Sequence, residues 1–164
     1  MISKKMQDAF NKQINEEMYS SYLYLSMAAY FAALSFPGFA QWMKAQSQEE
    51  WVHAMKFYNH IVERGGEVEL FAIKEPKKKW ESPLNAFEDS LNHEKHISGC
   101  IDKLMDLSIE EKDYASRSLL TWFVDEQVEE EASVGEVVDK LKLIGVHDHL
   151  LLMLDKEMGQ RGKK

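Results

Sequence analysis

The sequence predicts an all-α protein, built as a four-helix bundle with one long crossover and a short fifth helix at the C-terminal end. Two observations favour this fold. The chain of 164 residues contains only three prolines and eight glycines, and these helix breakers divide it into long segments. Within each long segment the apolar residues recur with a period close to 3.6, which is typical of amphipathic helices.

The first two segments predict a helical hairpin. They cover about residues 3–34 and 38–64. Pro37 separates them, because proline disfavours helix at the residue before it, and Gly65 follows the second segment as a C-terminal cap. Because the link between the two helices is short, we expect them to pack antiparallel.

The later segments predict a second hairpin and a terminal helix. Ser82 and Pro83 are typical of the N-cap and first position of a helix, so the third helix is expected to begin there. Gly145 separates the fourth segment from the fifth. The expected helices cover about residues 83–107, 113–143 and 146–158.

A long connection joins the two hairpins. Residues 66–82 show no sustained hydrophobic period and include Pro76 and the basic run Lys77–Lys79. An extended chain of this length reaches roughly 55 Å, whereas helices of about 25 to 30 residues are roughly 40 Å long. The connection is therefore expected to run the length of the bundle and to place helix three parallel to helix two. The whole chain, residues 1–164, then forms a single domain.

Charge and composition argue against several classes of function. The formal net charge is −8, whereas nucleic acids and anionic membranes bind basic surfaces, so neither is expected as a partner. The longest apolar-rich run, about residues 23–36, is shorter than the roughly 20 residues of a membrane span. The single cysteine, Cys100, and the lack of an apolar leader predict a location in the reducing cytoplasm.

Each of the four long apolar stripes carries polar residues at about mid-length. Helices one and three contribute one carboxylate each, and helices two and four contribute two polar residues one turn apart. In chain order these residues are Glu17, Glu50, His53, Glu94, Gln127 and Glu130. Carboxylates that are desolvated inside a bundle are costly unless a positive charge compensates them. We therefore expect a positive charge at this level of the bundle.

Metal ions are the expected source of that charge. No lysine or arginine lies centrally on the stripes, and two divalent cations supply +4 against the −4 of the four glutamates. One imidazole among oxygen ligands suits iron or manganese, whereas structural zinc usually recruits thiolates or more histidines. A Glu-x-x-His pair with glutamates from neighbouring helices is the di-iron carboxylate arrangement. The alternative is that these side chains are solvated surface residues. That alternative readily explains one carboxylate on an apolar stripe, but not one on each of the four helices.

The segments around these residues resemble those of the ferritins, and most closely the bacterial non-haem ferritins. The similar segments are NEEMYSSYLYLSMAAYF, QEEWVHAMKFY, NHEKHI and WFVDEQVEEE, which stand in the family's order and span nearly the whole chain. The resemblance implies a ferritin-like bundle with ferroxidase activity, in which O2 or hydrogen peroxide oxidises two Fe(II). It further implies iron storage as ferric mineral inside a hollow shell, a homo-oligomer of 24 subunits built from this chain.

The resemblance also implies roles for individual residues. Glu17, Glu50 and His53 are implied to hold one iron. Glu50 is implied to bridge to a second iron, which Glu94 holds with the assistance of Glu130. The iron centre is thus expected to be dinuclear and to lie within one subunit.

Further residues match supporting positions of the family. Gln127 is implied to orient water or oxygen species, and Tyr24 to donate a hydrogen bond behind the ligands and to serve as an electron source. A third iron site is implied at Glu49, Glu126, Glu129 and Glu130.

Related families provide the alternatives. Haem-containing bacterioferritins carry a second Glu-x-x-His on helix four, where this chain has Gln127 and Glu130, so no haem is expected. DNA-protecting mini-ferritins, a second alternative, build their iron site between subunits and lack the fifth helix. A rubrerythrin-like peroxidase normally adds a cysteine-pair module, which a single cysteine excludes. The remaining alternative, a structural bundle without metal chemistry, predicts no bound iron.

The other histidines are expected to lie outside the site. His93 and His96 point away from the apolar stripe of helix three, so both are expected to be solvated. His147 and His149 are expected to be exposed near the fifth helix.

Overall fold

The structure, a computed structural model that describes residues 1–162, confirms the all-α prediction. Its five helices are α1 (Lys4–Ala33), α2 (Pro37–Glu63), α3 (Pro83–Glu110), α4 (Tyr114–Ile144) and α5 (Asp148–Met158). The largest difference from the predicted limits is three residues, at the end of α3. Among the described residues, no helix is both long enough and apolar enough to cross a membrane.

The N-terminal caps explain where the helices begin. α1, α3 and α4 each begin after a side chain that accepts a hydrogen bond from a backbone N–H of the first turn; these caps are Ser3, Ser82 and Asp113. α2 differs, because its N-cap residue Phe36 has no side-chain acceptor. The carboxylate of Asp155, from α5, accepts from the backbone N–H of Phe39 at 2.8 Å instead. The fifth helix therefore caps the second helix.

The crossover lies along α1. The amide of Asn11 donates to the carbonyl oxygen of Glu67 at 3.0 Å, and the hydroxyl of Ser26 donates to the carbonyl oxygen of Lys77 at 2.6 Å. Asn11 and Ser26 are roughly 22 Å apart along the helix axis. The connection thus runs the length of the bundle, from the C-terminus of α2 back to the level of its N-terminus. α3 begins there and runs parallel to α2, as predicted.

Two apolar clusters form the core, one on each side of a layer of polar side chains. One cluster includes Phe10, Phe57 and Phe123, and the other includes Phe31, Phe39 and Phe87. In α2, Phe39 belongs to the cluster of Phe31, and Phe57 belongs to the cluster of Phe10. Glu50 and His53 lie between Phe39 and Phe57. The apolar core therefore seals the polar side chains from both ends of the bundle.

Candidate metal centre

The structure places the six predicted site residues in one buried layer at the centre of the bundle. Their exposed fractions are 0% for Glu17, 1% for Glu50, 3% for His53, 1% for Glu94, 4% for Gln127 and 5% for Glu130. Each of the four long helices contributes to this layer, which we call the polar layer. Such burial is unusual for carboxylates, which are almost never fully buried unless they are paired.

Two overlapping groups within the polar layer have the geometry of metal sites. Glu17, Glu50 and His53 each offer a ligand atom, and these atoms lie within 4.8 Å of one another. The same holds for Glu50, Glu94 and Glu130. Glu50 belongs to both groups, so the two groups share one carboxylate.

One buried oxygen of the polar layer lacks a partner. The amide nitrogen of Gln13 donates to Oε1 of Glu17 at 2.9 Å, whereas Oε2 of Glu17 is buried without a hydrogen bond. Buried polar atoms are nearly always paired, and a buried carboxyl oxygen without a donor is a costly exception. A cation bound between Glu17, Glu50 and His53 would supply the missing partner. The residues present thus fit a metal.

Burial and mutual repulsion set the protonation of the carboxylates. Burial raises the pKa of Glu17 well above its usual range, and the charge of Glu50 raises it further. Burial, followed by the charges of Glu94 and Glu130, likewise raises the pKa of Glu50. Burial and the charge of Glu94 raise the pKa of Glu130 to about 7. Without a cation, the layer therefore holds protons that a bound metal would displace.

The predicted third site is only partly assembled. His53 and Glu130 form a third group with Glu126, again with ligand atoms within 4.8 Å of one another. Glu49 and Glu129 are exposed and belong to none of these groups among the described residues. The carboxylate of Glu49 instead accepts a 2.7 Å hydrogen bond from Arg161.

Tyr24 and Gln127 both hold the carboxylate of Glu94. The hydroxyl of Tyr24 donates to Oε1 of Glu94, and the hydroxyl of Ser90 in turn donates to the Tyr24 oxygen at 3.1 Å. The amide nitrogen of Gln127 lies 3.2 Å from Oε2 of Glu94. Burial, followed by the charge of Glu94, raises the pKa of Tyr24 well above its usual range, so the phenol stays a donor.

Two glutamines that sequence reasoning did not assign to the site also belong to it. Gln13 donates to Glu17, and Gln46 donates both to Glu50 at 3.0 Å and to Glu130 at 2.6 Å. Each glutamine stands four residues before the glutamate that it contacts on its own helix. The spacing Gln-x-x-x-Glu on a buried stripe was the signal available in the sequence.

Arg161 reaches the edge of the polar layer from the turn after α5. Its Nη2 donates at 2.7 Å to the amide oxygen of Gln46 and at 2.7 Å to Glu49. Its guanidinium lies 4.3 Å from the ring centroid of Trp42. No sequence pattern pointed to Arg161, because the residues that it contacts are more than 100 positions away along the chain.

The structure corrects the expectation for His93, which is half-buried rather than solvated. Its Nε2 lies 2.6 Å from the hydroxyl of Ser20, and the Tyr19 ring packs edge-on at 5.8 Å between ring centroids. Burial lowers the pKa of His93 to about 4, so the ring is neutral at physiological pH. The side chains of α1 cover it, which the periodicity of α3 alone cannot reveal. His96, His147 and His149 are exposed, as predicted.

A cleft of about 430 Å³ opens beside the polar layer between α2 and α4. His53, Glu126 and Trp122 line it, and the Lys56 ammonium lies 4.2 Å from the centroid of the Trp122 ring. His53 is the only layer residue on this wall, and its ring packs edge-on against Trp122 at 5.6 Å between centroids. The cleft connects the His53 side of the layer with solvent.

Comparison with known proteins agrees with the bundle fold. Residues 7–144 match the family model described as a ferritin-like domain. A bacterial non-heme ferritin of Bacteroides fragilis is 47% identical over 161 residues, which cover 98% of this chain and 100% of that protein. A bacterial non-heme ferritin of Staphylococcus aureus is 39% identical, with coverages of 98% and 97%.

Solved structures give the same result. An open pore ferritin from the archaeon Archaeoglobus fulgidus superposes with a TM-score of 0.97 at 50% sequence identity, covering 98% of this chain and 99% of that one. An engineered closed form of the Archaeoglobus fulgidus ferritin also superposes with a TM-score of 0.97. Family model, sequence relatives and structures agree over nearly the full length: the chain belongs to the ferritin family.

Proposed function

We propose that this chain is an iron-storage subunit that oxidises Fe(II) to Fe(III) at the polar layer. Membership of the ferritin family supports iron storage. The single observation that carries the oxidation site is the unpartnered Oε2 of Glu17, buried beside Glu50 and His53. A purely structural bundle gives no reason to keep a carboxyl oxygen there without a hydrogen-bond donor.

Two Fe(II) ions are the proposed substrates. Glu17, Glu50 and His53 hold one, and Glu50, Glu94 and Glu130 hold the other. Carboxylate oxygens are hard anionic ligands, so they favour Fe(III) over Fe(II) and make loss of an electron easier. In the overall reaction two Fe(II) lose one electron each, while one O2 gains two electrons and two protons to give hydrogen peroxide.

The protein contributes charge, position and exclusion of water. The carboxylates release their protons when Fe(II) binds, which leaves a neutral layer of four glutamates and two cations. Tyr24 and Gln127 hold Glu94 in place, and Gln13 and Gln46 hold Glu17 and Glu50. The apolar clusters above and below the layer keep bulk water out.

The proposed third iron site centres on His53, Glu126 and Glu130, at the cleft between α2 and α4. Glu49 and Glu129 are exposed, and their proposed role is to guide iron to or from the layer. Support comes from the shared ligands, since His53 and Glu130 also face the dinuclear pair.

We further propose that the chain assembles into a closed cage of 24 subunits that encloses the ferric mineral, as the family resemblance implies. Apolar side chains on and before α5 support burial between subunits. Leu143, Val146, Leu152 and Met153 are 86%, 92%, 60% and 67% exposed in the single chain. Exposed apolar patches of this kind mark interaction surfaces. No haem site is proposed.

Anaerobic titration of the metal-free protein with Fe(II), followed by rapid mixing with O2, tests the proposed site. We expect fast oxidation that saturates at about two Fe(II) per chain, or about three when the third site fills. Glu50→Ala and His53→Ala should abolish the fast phase while leaving the helical content unchanged. Glu63→Ala, an exposed glutamate at the end of the same helix, is the matched control. Wild-type oxidation no faster than that of iron in buffer would contradict the proposal.

A further inference from the structure

A second group of metal-ligating side chains lies between α1 and α3, outside the polar layer. It consists of Glu16, His96 and Cys100, which we call the Glu16 cluster, and its ligand atoms lie within 4.8 Å of one another. None of these residues contributes to the proposed iron site. His96 and Cys100 are four residues apart on α3, so they project from one face of the helix, and Glu16 reaches them from α1.

The distances within the Glu16 cluster are close to those of a tetrahedral metal site. A metal with bonds of about 2.3 Å to sulfur and 2.0–2.1 Å to nitrogen holds the two ligand atoms about 3.6 Å apart. Sγ of Cys100 lies 3.6 Å from Nε2 of His96. Oε2 of Glu16 lies 2.9 Å from the same nitrogen, whereas a tetrahedral site needs about 3.3 Å. The Glu16 side chain is 38% exposed, so it is free to make this small adjustment.

The donor set selects a different class of metal from the polar layer. A thiolate, an imidazole and a carboxylate suit zinc and other borderline cations, whereas the polar layer contains no sulfur. A cleft of about 400 Å³ adjoins Glu16 and His96, which gives a cation and a completing water access from solvent. We propose that Glu16, His96 and Cys100 form a mononuclear site for Zn²⁺ or a cation of the same class, an inference that goes beyond the proposed iron chemistry.

Without metal binding, the same contacts would be an exposed ion pair between His96 and Glu16 with a thiol beside it. Such pairs contribute little to stability. The two interpretations differ in one respect: only a metal site requires the thiolate and the imidazole to bind the same ion.

Titration with Co²⁺ under anaerobic, reducing conditions distinguishes them. Cobalt replaces zinc in tetrahedral sites, and a thiolate ligand gives it a charge-transfer band in the near ultraviolet. The polar layer has no thiolate, so Co²⁺ bound there does not produce this band. We expect the band to reach the intensity of one thiolate-bound Co²⁺ per chain and to disappear when excess Zn²⁺ is added.

Variants test each ligand. Cys100→Ser should remove the band, and His96→Ala or Glu16→Gln should weaken Co²⁺ binding at least about tenfold, since even residues behind the ligands change affinity by that factor. His149→Ala, which removes an exposed histidine far from the Glu16 cluster along the chain, is the matched control and should bind as the wild type does.

Two results would overturn the proposal. One is the absence of the band in the wild type. The other is an unchanged Co²⁺ midpoint in His96→Ala, because a thiolate that binds without His96 is not part of this site. Oxidation of Fe(II) should remain intact in Cys100→Ser. A negative cobalt result therefore does not contradict the proposed iron site, and a negative result for iron oxidation does not affect the cobalt measurement.

Discussion

Arg161 and Gln46 are 115 residues apart in the chain, yet Nη2 of Arg161 donates a 2.7 Å hydrogen bond to the amide oxygen of Gln46. This contact fixes which end of the Gln46 amide faces the polar layer. The amide nitrogen therefore points to the carboxylates, and it donates to Glu50 at 3.0 Å and to Glu130 at 2.6 Å. The turn after α5 thus influences the geometry of the proposed iron ligands.

We expect Arg161→Ala to slow Fe(II) oxidation several-fold without changing the number of Fe(II) bound. Gln46 then loses the partner of its amide oxygen, so the amide nitrogen is less firmly directed at Glu50 and Glu130. Stopped-flow absorbance measures the rate, and equilibrium titration measures the stoichiometry. Lys156→Ala, an exposed cation in α5, is the control.

A double variant shows whether Arg161 acts through Gln46. In a Gln46→Ala background, Arg161→Ala should have little further effect, because residues that act through one contact are not additive. If the two substitutions slow oxidation independently, Arg161 does not act by positioning Gln46.

The metal-free protein should lose stability as pH rises through neutrality. The pKa of Glu130 rises from 4.5 to about 7 in the folded chain, chiefly through burial. A carboxyl whose folded pKa is raised stabilises the fold below its unfolded pKa, and that contribution is lost as pH rises through about 7. The shift corresponds to a loss on the order of 3 kcal/mol between about pH 5 and pH 8.

Denaturant unfolding of the metal-free protein at several pH values measures this loss. Glu130→Gln keeps the shape of the side chain but cannot ionise, so its unfolding free energy should depend less on pH. Glu63→Gln, at an exposed position, should retain the wild-type slope. Equal slopes for the wild type and Glu130→Gln would show that Glu130 does not titrate in this range.

Tyr24→Phe should disturb Glu94 and also lower the stability of the fold. The hydrogen bond from Tyr24 lowers the pKa of Glu94, against the raising effect of burial. Without it Glu94 holds its proton more tightly, so Fe(II) binding should weaken, and the loss should be larger at lower pH. The variant also leaves the buried Ser90 hydroxyl without its acceptor, which costs about 1–3 kcal/mol.

Calorimetric titration of Fe(II) at two pH values under anaerobic conditions tests the Tyr24 prediction. Tyr24→Phe with Ser90→Ala removes both members of the pair, so it should recover part of the lost stability without recovering Fe(II) binding. Identical affinities for the wild type and Tyr24→Phe at both pH values would contradict the role assigned to Tyr24.

Local patterns were sufficient to predict much of the fold. Ser82 and Pro83 marked the start of α3 correctly, because a cap and a first-turn proline act within a few residues. The polar layer was also predictable, since Glu50 and His53 share a helix face with apolar residues. Helical periodicity is a property of one segment, and the sequence displays it directly.

Contacts between distant segments were not predictable in the same way. His93 lies off the apolar stripe of α3, but α1 covers it. The cap that Asp155 provides for α2 and the contact between Arg161 and Gln46 join the C-terminal end of the chain to α2 only after folding. No periodicity within one helix encodes which neighbour covers its remaining faces.

The packing of α5 against α2 provides the last prediction. Gly38 lies directly beneath α5, and a Cβ atom at this position would stand 1.6 Å from the carbonyl oxygen of Asp155. Gly38→Ala must therefore displace α5 and break the 2.8 Å hydrogen bond from Phe39 to Asp155. We expect it to lower the unfolding free energy by about 1–3 kcal/mol, the usual cost of overpacking.

Gly99→Ala is the matched control, because the added Cβ meets no atom within 4 Å and the residue lies inside α3. It should raise stability by about 0.5–1 kcal/mol, since alanine is the better helix former. Displacement of α5 in Gly38→Ala should also withdraw Arg161 from Gln46, so Fe(II) oxidation should slow as in Arg161→Ala. If Gly38→Ala unfolds at the same denaturant concentration as the wild type, α5 does not pack on α2 as closely as the backbone contact with Asp155 requires.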